Sequence, residues 1–130
     1  MSRGSELALF DLESLRLGPP GYDLANWVAA LHYQQAEGRL SAAARRRAVR
    51  ALVRGYRAGG GGESCARALW LTAALLVQKQ VYKLATRGSG SRARARALLT
   101  LAERLVARAA AAGADGGLDD GLDRLERELA

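Results

Sequence analysis

Leu7 to Phe10 form an unbroken apolar run with no helical period, whereas from Tyr22 onward apolar residues return every three or four positions. The first pattern predicts a short buried strand near residues 7–11, and the second a succession of helices. Gly18, Pro19, Pro20 and Gly21 separate the two regimes and forbid a helix between them. The first helix should begin at about Tyr22 or Asp23, carry Leu24, Trp27, Val28 and Leu31 on one stripe, and stop near Gly38. Ser41 is a suitable N-cap for a second helix with Val49, Leu52, Val53 and Tyr56 inward, closed by Gly59–Gly62.

A third helix is expected from about Ser64 to Thr86. Leu69, Trp70, Ala73, Leu76, Val77 and Val81 make it apolar over much of its circumference, so it should be the most buried. Gly88-Ser89-Gly90-Ser91 then breaks the chain. A fourth helix over about 92–112 turns Leu98, Leu101, Leu105 and Val106 inward. Leu118, Leu122, Leu125 and Leu129 recur at spacings of four, three and four in a fifth helix, and Asp120/Arg124 and Asp123/Arg127 pair on its outer side. The fold class is mainly α: one short N-terminal strand followed by about five helices. Such a strand needs a hydrogen-bonding partner that this pattern does not supply, which points to an absent upstream strand.

At 130 residues the chain suits a single domain. No run of 18 apolar residues occurs, and the N-terminus has no signal-peptide pattern, so the expected location is the cytoplasm with no membrane partner. Cys65, the single cysteine, has no intrachain disulfide partner and no metal-ligand pattern around it. The net charge of +7 invites a nucleic-acid reading, with Arg45, Arg46, Arg47, Arg50, Arg54 and Arg57 on the second helix and Arg92, Arg94 and Arg96 as a second cluster. Yet 18 of the 20 basic residues are arginine in a chain rich in Ala, Gly and Leu throughout, and a charge run on an amphipathic helix is ordinarily its solvated face. No aromatic interleaving or DNA-binding motif accompanies it.

Candidate chemistry lies at the front. Asp11 ends the apolar run, Glu13 shares its face if the chain stays extended, and Asp23 sits at the first turn of the first helix. Taken singly, Asp11 is a strand-end turn cap, Glu13 a solvated charge and Asp23 a helix-start charge favoured by the dipole. Taken together, Leu7-Ala8-Leu9-Phe10-Asp11-Leu12-Glu13, the Gly-Pro-Pro-Gly turn and Asp23-Leu24-Ala25-Asn26-Trp27-Val28-Ala29-Ala30-Leu31 resemble the segment after the catalytic loop in the aminoglycoside phosphotransferase and choline kinase-like enzymes, which share the protein kinase fold. The resemblance covers about residues 7–31. It implies that residues 1–21 form a strand and metal-site loop and residues 22–130 a helical subdomain, together the C-terminal part of a kinase-like C-lobe. It assigns Asp11 to Mg2+ on ATP, Glu13 to possible support of that site, and Asp23 to a buried brace of the catalytic loop. Magnesium suits such a site because it takes carboxylate and phosphate oxygens and neutralises charge during phosphoryl transfer.

The remaining machinery of such an enzyme is not in these 130 residues. There is no phosphate-covering loop, no ATP-positioning lysine in context and no His-x-Asp-x-x-x-x-Asn. His32, the single histidine, precedes Tyr33-Gln34 and reads as a partly buried structural residue. Gly88-Ser89-Gly90-Ser91 joins two helices rather than following a strand, which makes it a linker and not a dinucleotide loop. Trp27 and Trp70 are expected in the core. The expectation is therefore a portion of an ATP-dependent small-molecule kinase that is inactive alone: a truncated product, or half of a split enzyme completed by an N-terminal half or separate chain. Its acceptor is open; an aminoglycoside, a polycation, suits a +7 chain poorly. The alternatives are a basic helical module binding nucleic acid or an acidic partner, and an interaction protein that docks through the leucines of residues 118–129.

Overall fold

A computed structural model describes residues 2–3, 6–7, 18–19, 21–86, 91–113 and 127. The described chain is mainly helical. Strand β1, Ser2–Arg3, pairs antiparallel with β2, Glu6–Leu7, in the register Ser2 to Leu7. Leu7, the first residue of the expected strand, pairs with Ser2. The rest of the expected strand at residues 7–11 lies outside the described residues.

Helix α1 spans Tyr22–Ala36, α2 Ala42–Ala58, α3 Cys65–Leu75, α4 Tyr82–Ala85 and α5 Arg92–Gly113. A six-residue π-helical segment, Leu76–Val81, joins α3 to α4, so that residues 65–85 form one continuous rod. The four rods match the helices predicted from periodicity. The expected fifth helix, residues 118–129, lies outside the described residues apart from Arg127, which is helical and exposed.

The helix ends follow from local chemistry. Ser41 Oγ accepts from the Ala44 N–H at 3.2 Å and Ser64 Oγ from the Arg67 N–H at 3.3 Å, each satisfying a donor that its helix leaves open. Helix α1 closes through Gly38 N–H to Gln35 O and Arg39 N–H to Gln34 O. Helix α2 closes in the same way through Gly60 and Gly61, donating to Arg57 and Tyr56. Gly38 and Gly60 hold φ of 73° and 82°, the left-handed conformation that this closure requires and glycine adopts without strain.

The 65–85 rod is the centre of the bundle. Helix α3 packs against α5 on one side and α1 on the other, the π segment reaches both, and α2 lies against α1. Seven of the eleven residues of α3 are buried, and Leu69, Leu76 and Leu84 along the rod are fully enclosed, so the most apolar helix is indeed the most buried. The wide turn of the π segment keeps Leu76, Gln80 and Leu84 on one buried face. Thr72, buried beside them, donates its hydroxyl to Ala68 O at 2.8 Å. Leu24, Ala25, Val28 and Ala29 of α1 and Leu98, Ala102 and Leu105 of α5 complete the core.

Four apolar residues expected inside are on the surface: Trp27, Trp70, Val77 and Val106. In each case the buried stripe is narrower than the apolar pattern. Helix α1 commits positions 24, 25, 28 and 29 to the core, which leaves position 27 facing sideways. Leu69→Ala is expected to lower unfolding stability by about 2–5 kcal/mol, and Val106→Ala by less than about 1 kcal/mol, in urea titrations followed by circular dichroism. Equal losses would contradict this assignment of the core.

Candidate functional site

The start of α1 is set by a turn. Tyr22 N–H donates to Pro19 O at 3.1 Å, and Gly21 caps the helix with φ of 75° and no side-chain hydrogen bond. A Cβ on Gly21 would come within 2.7 Å of Glu63 Cγ, so the glycine admits both the turn and the close approach of that side chain. Asp23, the second residue of the helix, is exposed, while Leu24 and Ala25 pack inward. In this chain the Asp23 carboxylate stays in solvent at the positive end of the helix dipole; the burial that the resemblance implies belongs to an assembly that includes the catalytic loop. Asn26, one turn in, accepts from Lys79 Nζ at 2.9 Å, and the same ammonium lies 5.5 Å from the Tyr22 ring centroid. These contacts fix the front of α1 against the π segment.

Asp11 and Glu13, the expected magnesium ligand and its support, lie outside the described residues. Among the described residues no cluster of three or more His, Cys, Asp or Glu side chains could hold a metal ion.

Trp27 lies one turn after Asp23 and is 61% exposed. With Asp23, Leu52, Gly55 and Tyr56 it lines an apolar groove of about 560 Å³ between α1 and α2. Facing it, α2 offers Ala48, Ala51 and Gly55, side chains too small to cover an indole. A second groove, between α3 and α5, contains Trp70 and Val106.

Glu63, not singled out from the sequence, is buried between the starts of α1 and α3. Its Oε1 accepts from the Ser64 N–H at 3.1 Å, and its Oε2 lies 3.7 Å from Arg67 Nε without a hydrogen bond. A carboxylate at a helix N-terminus is electrostatically favoured, which offsets part of its desolvation. Gln80 is likewise buried, and its Oε1 has no hydrogen-bond partner.

The arginine helix is not a uniformly solvated face. Arg45 is buried on α2, its Nε donating to Gln35 Oε1 at 2.5 Å and its Nη1 lying 3.5 Å from His32 Nε2. Desolvation, and then the charge of Arg46, push the Arg45 guanidinium below its ordinary pKa. Arg46, Arg47, Arg50, Arg54 and Arg57 are exposed. His32 is half-buried beside Arg45, as expected of a structural histidine, and Cys65 is buried in the core. Arg94 Nη1 meets Glu37 Oε1 at 3.0 Å, tying the start of α5 to the end of α1.

Compared with known proteins, the chain matches no family model, no curated protein sequence and no solved structure. No helix among the described residues is long and apolar enough to cross a membrane.

Because Arg45 bridges α2 to α1 while Arg46 faces solvent, the two should respond differently to removal. Arg45→Met is expected to lower stability by about 1–2 kcal/mol, and Arg46→Met to change it by less than about 0.5 kcal/mol, in thermal unfolding. Indistinguishable variants would remove Arg45 from the packing of the bundle.

Proposed function

We propose that the chain is the helical, acceptor-side portion of an ATP-dependent small-molecule phosphotransferase, of the kind that residues 7–31 resemble, and that it transfers no phosphate alone. The observation that supports this most is the uncovered front of α1. Asp23 and Trp27 share one helix face, both are exposed, and the groove beside them is apolar. An exposed indole beside an apolar groove suits a surface that another segment covers. In the resembled family the carboxylate equivalent to Asp23 braces the catalytic loop, so a loop carried by another polypeptide would lie on this same face.

In that assembly Asp11 would hold Mg2+ against the ATP phosphates, with Glu13 in support, and Asp23 would accept hydrogen bonds from the catalytic-loop backbone. The base and the second metal ligand would come from the other polypeptide. Phosphoryl transfer is mostly positioning and charge stabilisation by several parts together, which is why one ligand on a partial scaffold does not suffice.

A second reading, a basic module for nucleic acid, draws on the exposed arginines of α2. Its weight falls because the row loses Arg45 to the bundle interior.

The test is magnesium-dependent ATP turnover over a panel of hydroxyl and amine acceptors. The purified chain should show none. Supplied with a polypeptide that carries the nucleotide-binding lobe and catalytic loop of such an enzyme, the chain should show turnover, and Asp11→Asn should remove most of it, since an amide binds magnesium far less well than a carboxylate. Turnover by the chain alone, unaffected by Asp11→Asn, would overturn the assignment. Sequence-selective DNA binding at physiological salt, lost in Arg46→Gln/Arg50→Gln/Arg54→Gln, would favour the second reading instead.

A further inference from the structure

We propose that the apolar groove between α3 and α5 is the contact face of a homodimer, in which the α5 helices of two copies lie antiparallel and Glu103 of each pairs with Arg96 of the other. This inference uses no residue of α1 or α2 and does not depend on the phosphotransferase reading.

The groove has a volume of about 480 Å³ and is lined by Trp70, Ala73 and Val77 from α3 and the π segment and by Leu99, Glu103 and Val106 from α5. Trp70 is 55% exposed, and Val77, Leu99 and Val106 are exposed as well. Glu103 is the one charged residue of the lining. An occupant must therefore bring apolar side chains for the walls and a cation for that carboxylate. Helix α5 itself carries both. Arg92, Arg96, Leu99, Glu103, Val106 and Ala110 are all exposed and recur at steps of four and three, the heptad spacing of a helix seam. Arg104 and Arg108 lie about 100° or more around the helix from that stripe, so they stay in solvent when it is covered.

The order of charges along the stripe fixes the direction of pairing. A parallel arrangement would set Glu103 against Glu103 and Arg96 against Arg96. An antiparallel one that places Leu99 opposite Glu103 brings Arg96 of the second copy within one turn of Glu103, and the two-fold axis repeats the pair. In the same register Arg92 reaches the carbonyl end of the other α5, where a cation is favoured. Each α3/α5 hairpin then contributes two helices to a four-helix bundle, with Trp70 and Val77 closing the seam. The stripe from Arg92 to Ala110 is about 27 Å long and two helices are about 18 Å across, so the face presents roughly 500 Å² per copy. Doubled, that is at the lower end of specific interfaces and implies a reversible dimer. With +7 on each copy, the long-range charge opposes association, and the contact itself must supply the affinity.

The full chain carrying Trp27→Phe keeps Trp70 as its one indole. Across a dilution series its mass by light scattering should fall from about twice 13.8 kDa toward 13.8 kDa, and acrylamide quenching of Trp70 should rise over the same range. Glu103→Arg and Arg96→Glu should each raise the dissociation constant about tenfold by setting like charges together. Arg96→Glu/Glu103→Arg reverses both pairs at unchanged net charge and should return it to within about threefold of the parent. A monomer at every concentration up to about 0.5 mM would overturn the proposal. A dimer indifferent to Glu103→Arg, or a double variant no tighter than the single ones, would overturn it as well. Protection of Trp70 that does not change on dilution would assign the groove to the chain's own residues and overturn it too.

Discussion

The bundle depends on one constraint: the 65–85 rod is apolar on two sides and must bury both. Leu69, Leu76 and Leu84 each contribute about 1.5–3 kcal/mol by leaving water, and they can do so only with α1 on one flank and α5 on the other. Once α1 is held there, by Leu24 and Val28 in the core and by Asn26 on Lys79, its remaining face has no choice of direction. Asp23 and Trp27 are turned outward as a consequence of where Leu24, Ala25, Val28 and Ala29 must go. The same applies on the rod itself, where burying Leu69, Ala73 and Leu76 puts Trp70 and Val77 at the surface.

Much of this was legible in the chain. The first four helices, the serine cap at 41 and the glycine stops at 38 and 59–62 followed from periodicity and capping chemistry, because those signals are local. The location of the tryptophans was not. Aromatic residues at helical spacing read as core, and only the size of the opposing residues, Ala48, Ala51 and Gly55 or Ala73 and Ala102, decides whether an indole is covered. That information is tertiary. The burial of Arg45 escaped for the same reason: within Arg45-Arg46-Arg47 nothing local marks which guanidinium meets Gln35. Glu63 was missed because its role depends on two helix starts meeting. Asp11 and Glu13 rest on the sequence pattern alone.

The α1/α2 groove, with Asp23 at its edge, is the apolar surface on which the proposed function rests. A carboxylate and an indole held rigidly on one helix face form a surface that another polypeptide could use without reorganising the bundle, because the core behind them is already closed.

The central claim, that the front of α1 is a seat for the catalytic part of a kinase, is tested most directly by the fluorescence of Trp27 in the full chain carrying Trp70→Phe. Alone, the chain should show a solvent-exposed emission maximum. On titration with a polypeptide that carries the nucleotide-binding lobe and catalytic loop of such an enzyme, the emission should shift to the blue and saturate, and Asp23→Asn should weaken the binding. A Trp27 emission already buried in the isolated chain, or unchanged by that polypeptide, would contradict the account.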